Sequence, residues 1–163
     1  MKIESVTEND LEEVLDIYAE ARSFMRENGN DKQWVNGYPD RTTVLSDIKN
    51  GRLYKVIDAT DILGVFYFLL GNDKTYSVIY DGEWLNSEPY GVIHRIAVAK
   101  NAHGKGVGAF CFNYALGISG NLKIDTHRDN LPMQRALVKF GFKYCGIIHL
   151  ENGDERLAYQ ISK

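Results

Sequence analysis

Three glycines alternate in the second half of the sequence, where a predicted strand runs into a predicted helix. The segment reads His103, Gly104, Lys105, Gly106, Val107, Gly108. Glycine adopts backbone conformations that other residues avoid, and it lets a ligand approach the main chain. Free amides in such a turn, with a helix N-terminus behind them, form a site for phosphate. The spacing therefore predicts a turn that binds a pyrophosphate group.

Two other phosphate-binding loops fit this segment less well. A Walker loop requires Gly-x-x-x-x-Gly-Lys followed by Ser or Thr, and the chain lacks that sequence. A dinucleotide-binding fingerprint requires Gly-x-Gly-x-x-Gly in a strand–helix–strand unit. Here the spacing is Gly-x-Gly-x-Gly, and no acidic residue follows a second parallel strand at the right distance. An ATP- or NAD-binding domain is therefore the less favoured alternative.

The turn resembles the coenzyme A motif of the GNAT acetyltransferases, written Arg/Gln-x-x-Gly-x-Gly/Ala. Gly106 and Gly108 match its last two fixed positions, and His103 stands where Arg or Gln is usual. A second motif of the family, Asn…Gly-Phe, is matched by Asn130, Gly141 and Phe142. These motifs cover about residues 92 to 142, and the order of elements resembles the family over nearly the whole chain.

The resemblance implies one domain over residues 1–163, with an α+β (mixed α/β) fold and acetyl-CoA as co-substrate. In that family, helices flank a mostly antiparallel sheet whose fourth and fifth strands splay apart to admit the pantetheine arm. By resemblance, the backbone of Ile96, Ala97 and Val98 would bind the pantetheine amides. The turn from His103 to Gly108 would bind the pyrophosphate, with Asn130 as a further coenzyme contact.

His94 is the candidate general base. Transfer of an acetyl group to an amine requires that the amine lose a proton, and histidine accepts protons near neutral pH. Strand alternation would place His94 on the same face as Ile96 and Val98, beside the expected thioester. Its position also resembles one that histidine occupies in arylalkylamine acetyltransferases of the same family. A histidine at a strand start can equally serve structure alone.

A general acid is harder to assign. Many GNAT enzymes carry a tyrosine seven residues after the motif asparagine, and here that position is Leu137. His127 and Tyr144 are the candidates that remain nearby in the sequence, with Cys145 next to Tyr144. Tyr144 and Cys145 are adjacent on one predicted strand, so at most one of them can point at the cleft. Water is a further alternative.

Two aromatic residues, Trp34 and Tyr38, lie in the loop between the first two predicted helices. In the GNAT family this region often lines the acceptor side, so the two are candidates for substrate binding. Packing beneath the loop would explain them equally well. The histidines and cysteines show no metal-ligand spacing, and we expect no metal.

Hydrophobic periodicity and turn residues predict the elements that hold these groups. Predicted helices run from Leu11 to about Asn28, from the cap Asp40 to Gly51, from Val107 to Leu116, and from Leu131 to Phe140. Predicted strands are Lys2 to Val6, Leu53 to Asp58, Ile62 to Leu70, Thr75 to Tyr80, Val92 to Ala99, Leu122 to Thr126, Phe142 to His149, and Arg156 to Ile161. This order favours a mixed domain with a largely antiparallel sheet.

Composition excludes several functional classes. A net charge of −3 argues against a nucleic-acid partner, because such proteins usually carry a basic excess. The longest apolar run, Ile62 to Leu70, is too short to span a bilayer. The polar, acidic start of the chain does not resemble a signal peptide. With two cysteines at no redox spacing, Cys111 and Cys145, the expected location is cytoplasmic.

Two functions therefore compete. The favoured one is transfer of an acetyl group from acetyl-CoA to the amine of a small acceptor by direct attack. The alternative is a catalytically silent GNAT-like module that binds acyl-CoA as a sensor, and Leu137 in place of tyrosine supports it. Amines, amino acids, peptide N-termini and antibiotics all stay open as acceptors, and so does assembly into a homodimer.

Overall fold

Eleven regular elements follow one another along residues 1–163, all of which the computed structural model describes. The helices are α1 (Leu11–Glu27), α2 (Arg41–Lys49), α3 (Val107–Ser119) and α4 (Leu131–Phe140). The strands are β1 (Lys2–Ser5), β2 (Leu53–Asp58), β3 (Asp61–Leu70), β4 (Gly91–Val98), β5 (Asn121–Thr126), β6 (Lys143–His149) and β7 (Glu155–Ser162).

The strands form one seven-stranded sheet in the order β1-β2-β3-β4-β5-β7-β6. All neighbours are antiparallel except β4 and β5, which run parallel. These two strands pair only at their starts, through Gly91 with Leu122 and Val92 with Lys123. Beyond Val92 they separate, so the facing edges of both strands are left without strand partners. The mixed fold and the splayed pair expected from the sequence are confirmed.

A β-bulge interrupts β4 at the point where it leaves β5. Tyr67 of β3 pairs with His94, but Val65 pairs with Ala97, so β4 carries one extra residue. Arg95 lies in this extra stretch with a positive φ of 48°. A bulge bends its strand and shifts the side chains that follow. The strict alternation expected from His94 to Val98 therefore does not hold through the strand.

The helices cover both faces of the sheet. Phe66 of β3 packs edge-on against Tyr114 of α3. The neighbouring Tyr67 faces the other way, beneath the Arg95 guanidinium that pairs with Asp47 of α2. Because successive side chains on a strand alternate between faces, α2 and α3 lie on opposite sides. Helix α4 joins the α3 side, where Phe140 packs against Phe112.

One predicted strand is absent. Lys74–Tyr76 form a single 3₁₀ turn, and Tyr80 makes only an isolated bridge to Ile147. The Asp73 side chain accepts hydrogen bonds from the Thr75 amide and hydroxyl. Such local bonds compete with strand pairing, and they fix the turn beside β4. None of the helices has the length and apolar character needed to cross a membrane.

Candidate active site

The glycine turn leaves a row of backbone amides without partners. Gly104 and Gly106 have φ angles of 78° and 77°, in the left-handed region that favours glycine. Helix α3 begins directly after them, so its first amides also lack intrahelical acceptors. Of the amides from His103 to Ala109, only that of Lys105 donates to an acceptor in the protein, so those of His103, Gly104, Gly106, Val107, Gly108 and Ala109 are without partners. A Cβ atom built on any of the three glycines would meet no heavy atom within 4 Å, so the space in front of the turn is open.

This turn forms one wall of a cleft of about 520 Å³, which we call the glycine cleft. Its other walls come from the end of β4, through Ile96, Ala97 and Val98, and from α1 and α4. His103 lines it as well, with its ring edge-on to Phe24 at 4.7 Å between centroids. Lys105, by contrast, is exposed and does not line the cleft.

A second cavity of about 680 Å³ lies next to the glycine cleft and contains His94; we call it the histidine cavity. The two share four lining residues: Met25, Ile96, Asn130 and Met133. Asn130 caps α4 by accepting a hydrogen bond from the Met133 amide at 3.2 Å, and it donates to Gln33. The two cavities therefore meet where β4 and β5 separate.

His94 lies in the histidine cavity between two carboxylates. Its Nε2 is 2.7 Å from Oδ2 of Asp73, and its Nδ1 is 3.9 Å from Oδ2 of Asp125. The Tyr76 hydroxyl donates to the same Asp125 oxygen at 2.6 Å. Asp73 comes from the 3₁₀ turn before β4, and Asp125 from β5. Strand β4, the 3₁₀ turn before it and strand β5 thus each contribute one side chain to this cluster.

The charges of this cluster fix the histidine tautomer. Burial opposes ionisation of Asp73, but hydrogen bonds from His94 and Thr75 outweigh it and lower its pKa to about 2. An ionised carboxylate only accepts hydrogen bonds, so Nε2 must carry the proton that it donates. In neutral imidazole the other nitrogen then has the free lone pair. Nδ1 is therefore the atom of His94 that can accept a proton.

Tyr76 serves as a fixed donor beside this group. Burial, together with the nearby Asp125 charge, holds the pKa of Tyr76 well above its usual value. The hydroxyl therefore stays protonated and keeps its hydrogen bond to Asp125. Asp125 in turn places a carboxylate oxygen 3.9 Å from Nδ1 of His94.

The other two catalytic candidates lie outside both cavities. Tyr144 is 52% exposed and packs against Tyr159, and its neighbour Cys145 is buried away from the cleft. Nδ1 of His127 already accepts a hydrogen bond from the Asp129 amide at 3.0 Å. Burial and the nearby Arg156 charge lower the pKa of His127. Leu137, at the position where the family usually carries tyrosine, is fully buried in the core.

Trp34 and Tyr38 both line the histidine cavity. Their rings pack edge-on with centroids 6.4 Å apart, and Trp34 also packs against Tyr18 of α1. The Tyr38 hydroxyl accepts a hydrogen bond from Arg95 at 2.9 Å. The two rings therefore form an aromatic wall that is tied to the β4 bulge.

Sequence reasoning missed several residues of this site: Asp73, Tyr76, Asp125 and Arg156. The sequence did give an indication for Asp125, because a charged residue within the hydrophobic pattern of β5 must face a polar partner or a cavity. Asp73 reads as an ordinary turn residue, and only the fold brings it to His94. No group of three or more His, Cys, Asp or Glu side chains is arranged to hold a metal ion.

Comparison with known proteins agrees with this geometry. A family model described as the GNAT acetyltransferase family matches residues 11–142. A GNAT family acetyltransferase structure from Streptococcus agalactiae 2603 is 31% identical, with a TM-score of 0.91, and the match covers 99% of this chain and 95% of that one. One from Listeria monocytogenes 4b F2365 shares the fold at 19% identity and a TM-score of 0.72, covering 99% and 94%. No curated protein sequence matches the chain.

The family match spans the glycine turn, the splayed strands and helix α4 together, and the similarity to the streptococcal structure extends over nearly the whole chain. On these grounds the chain belongs to the GNAT acetyltransferase family.

Proposed function

We propose that this protein transfers an acetyl group from acetyl-CoA to the amine of a small acceptor by direct attack. One observation carries the proposal: the glycine cleft and the histidine cavity meet at the gap between β4 and β5, with His94 on one side of the junction. A thioester carbonyl in the gap would lie within reach of an amine in the histidine cavity.

The glycine cleft fits a coenzyme A molecule. Unpartnered amides at the start of α3 suit a pyrophosphate, because they present hydrogen-bond donors and the positive end of the helix dipole. The free edge of β4 from Ile96 to Val98 offers backbone groups to an extended chain containing amides. When bound, acetyl-CoA supplies the activated acyl group, so the protein needs no nucleophile of its own.

In this proposal His94 removes the proton from the acceptor amine. Asp73 holds the Nε2 proton, so Nδ1 presents its lone pair to the cavity. Asp125, with Oδ2 3.9 Å from Nδ1, attracts the positive charge that His94 gains with the transferred proton. The base, its orienting carboxylate and the stabilising carboxylate are thus assembled before the substrate arrives.

The thiolate that leaves the thioester does not require a general acid from the protein. A thiol has a pKa near 8.5, so a thiolate is a stable leaving group that water in an open cleft can protonate. No protein acid is therefore assigned, which accommodates Leu137 at the position of the family's tyrosine.

The test is acetyl-CoA turnover with a panel of small amines, detected by thiol release. The wild type should release thiol with at least one acceptor, and its rate should rise with pH as a base loses its proton. His94→Ala should lower turnover by about 10²–10⁴-fold, the usual cost of removing a general base. Acetyl-CoA affinity should stay near normal, because the glycine turn is untouched.

His149→Ala is the matched control, since His149 is an exposed histidine on β6 outside both cavities. It should leave the rate and the pH profile unchanged. If acetyl-CoA binds but no amine of the panel releases thiol, the chain is the silent binding module. If His94→Ala keeps both rate and profile, His94 is structural and the amine arrives already deprotonated.

A further inference from the structure

Arg156 is a buried cation without an acidic partner. It is the second residue of β7 and is only 6% exposed, yet no carboxylate oxygen lies within 4.0 Å of its guanidinium. Its recorded hydrogen bonds go to two backbone carbonyls, of Glu155 at 2.9 Å and of Gln33 at 3.5 Å. A guanidinium has five N–H donors, so most of its capacity is unused. Buried charges in proteins are normally paired.

The unpaired side chain lines the histidine cavity. Arg156 and Ala158 alternate along β7 and share a face, and Ala158 pairs directly with Asp125 of β5. Arg156 therefore lies on the same face of the sheet as Asp125, which is 3.9 Å from Nδ1 of His94. The Arg156 guanidinium and the proposed base His94 therefore line the same cavity.

A second polar group in this cavity also lacks a partner. Thr126, the last residue of β5, is buried, and its hydroxyl makes no hydrogen bond within the protein. It lines the histidine cavity together with Arg156. Because Thr126 follows Asp125 on β5, its side chain points to the opposite face of the sheet from Arg156. The guanidinium of Arg156 is therefore the group that indicates a ligand with acceptor oxygens in the histidine cavity.

Acidic residues near the rim do not neutralise Arg156. Glu151 and Asp154 also line the cavity, but neither makes an ion pair with Arg156. Asp154 instead accepts a hydrogen bond from Asn152 within the β6–β7 turn. The closer acidic neighbour, Glu155, pairs with Arg128 on the exposed side.

We infer that the acceptor carries a carboxylate as well as an amine, and that Arg156 binds this carboxylate while the amine faces His94. The acceptor class is then a free amino acid. Guanidinium and carboxylate match in shape and charge and can form two parallel hydrogen bonds. This inference rests on the proposed function and deepens it by naming the class of substrate.

The experiment compares matched acceptors that differ only in the carboxylate. Each amino acid is assayed beside the amine that lacks it: phenylalanine with 2-phenylethylamine, tyrosine with tyramine, lysine with 1,5-diaminopentane. For at least one pair, the wild type should favour the amino acid in kcat/KM by about 10-fold or more, as expected for a hydrogen bond between charged groups. Arg156→Gln should abolish that preference, mainly through KM, while activity on the plain amine persists.

Arg128→Gln is the control for loss of one positive charge nearby, because Arg128 is exposed, outside the cavity and paired with Glu155. It should keep the preference for amino acids. Acetyl-CoA affinity of each variant reports whether it is folded. The wild-type comparison needs no variant, so it remains decisive even if Arg156→Gln fails to fold.

Three results distinguish failure of the carboxylate site at Arg156 from failure of the acetyltransferase function. Thiol release with plain amines at or above the rate for their amino acids overturns the carboxylate site and leaves the acetyltransferase standing. A preference for amino acids that survives in Arg156→Gln also overturns it. Absence of thiol release with every acceptor, despite acetyl-CoA binding, removes the proposed function itself.

Discussion

Asp73 holds the proposed base in one tautomer and also contributes to stability. Its carboxylate accepts hydrogen bonds from His94 and from Thr75, and these interactions lower its pKa to about 2 against a burial penalty. A carboxyl group that is more acidic in the folded state stabilises the protein above its unfolded pKa. That contribution is lost as the pH falls through the folded value. The relevant window for Asp73 therefore runs from about pH 4 down to about pH 2.

Asp73→Asn should lower the free energy of unfolding by about 1–2 kcal/mol at pH 5. At pH 3 the difference from wild type should be about half as large, because part of the wild-type carboxylate is then protonated on unfolding. Urea denaturation at both pH values measures it. Asp58→Asn, at an exposed carboxylate with no recorded partner, should change stability by less than about 0.5 kcal/mol. A deficit that is constant from pH 5 to pH 3 would contradict the proposed ionisation.

At the scale of elements, the turn before α3 is where a single substitution should change coenzyme binding most directly. Gly106→Asp adds a side chain and a negative charge where unpartnered amides face open space. Acetyl-CoA binding measured by calorimetry should weaken by about 10-fold or more, because the new carboxylate repels the phosphates and competes for the amides.

Gly51→Asp provides the control for backbone strain. Gly51 ends α2 with a φ of 67°, close to that of Gly106, and it also has open space around its Cβ position. It lies outside both cavities, so this variant should lose some stability but bind acetyl-CoA normally. Equal affinity in the two variants would argue against a phosphate site at the turn.

The β4 bulge is held by a buried ion pair. Arg95 donates to both oxygens of Asp47, at 2.7 and 2.8 Å, and its carbonyl accepts a hydrogen bond from the Tyr18 hydroxyl. Burial disfavours the charge of Arg95, but Asp47 and Tyr38 more than compensate and raise its pKa. These contacts fix the left-handed residue that follows His94 and so position the proposed base.

Asp47→Ala should cost about 3–5 kcal/mol, because it leaves the Arg95 charge buried without its partner. Glu12→Ala breaks the exposed pair with Arg41 and should cost less than about 1 kcal/mol. Chemical denaturation of the two variants compares them directly. Similar losses in both would mean that Asp47 does not support the bulge.

For the whole molecule, the gap between β4 and β5 is its main structural opening. The sheet is continuous on either side of this gap, yet the two strands share only two residue pairs. A ligand that fills the gap would contact β4, α3 and α4 at once. Binding should therefore stabilise the molecule as a unit and protect the amides of residues 104–109 from hydrogen exchange.

Acetyl-CoA at about 100 times its dissociation constant should add about 2.7 kcal/mol to the free energy of unfolding. For a chain of this size, that corresponds to a rise in Tm of roughly 5–10 °C. Gly106→Asp should show a much smaller rise at the same concentration. A Tm that does not respond to acetyl-CoA, but rises with ATP or NAD, would favour a nucleotide-binding domain instead.

The sequence by itself determined the order of elements apart from one strand, the glycine turn at Gly104 to Gly108 before α3, and the family. These depend on local rules: hydrophobic period, capping residues, and glycine where φ must be positive. The segment from Thr75 to Tyr80 was predicted wrongly as a strand, because side-chain bonds from Asp73 hold a 3₁₀ turn instead.

Only the tertiary structure decided which groups meet at His94. Asp73 and Asp125 are far apart in the sequence and meet at His94 because the 3₁₀ turn before β4 and the strand β5 lie beside it, and Arg156 of β7 lines the same cavity. The bulge at Arg95 depends on an ion pair to α2, 48 residues away, which no local pattern encodes. Tyr144 and His127 are close to the motifs along the chain but lie outside the cavities, since proximity in sequence does not fix the direction of a side chain in a sheet.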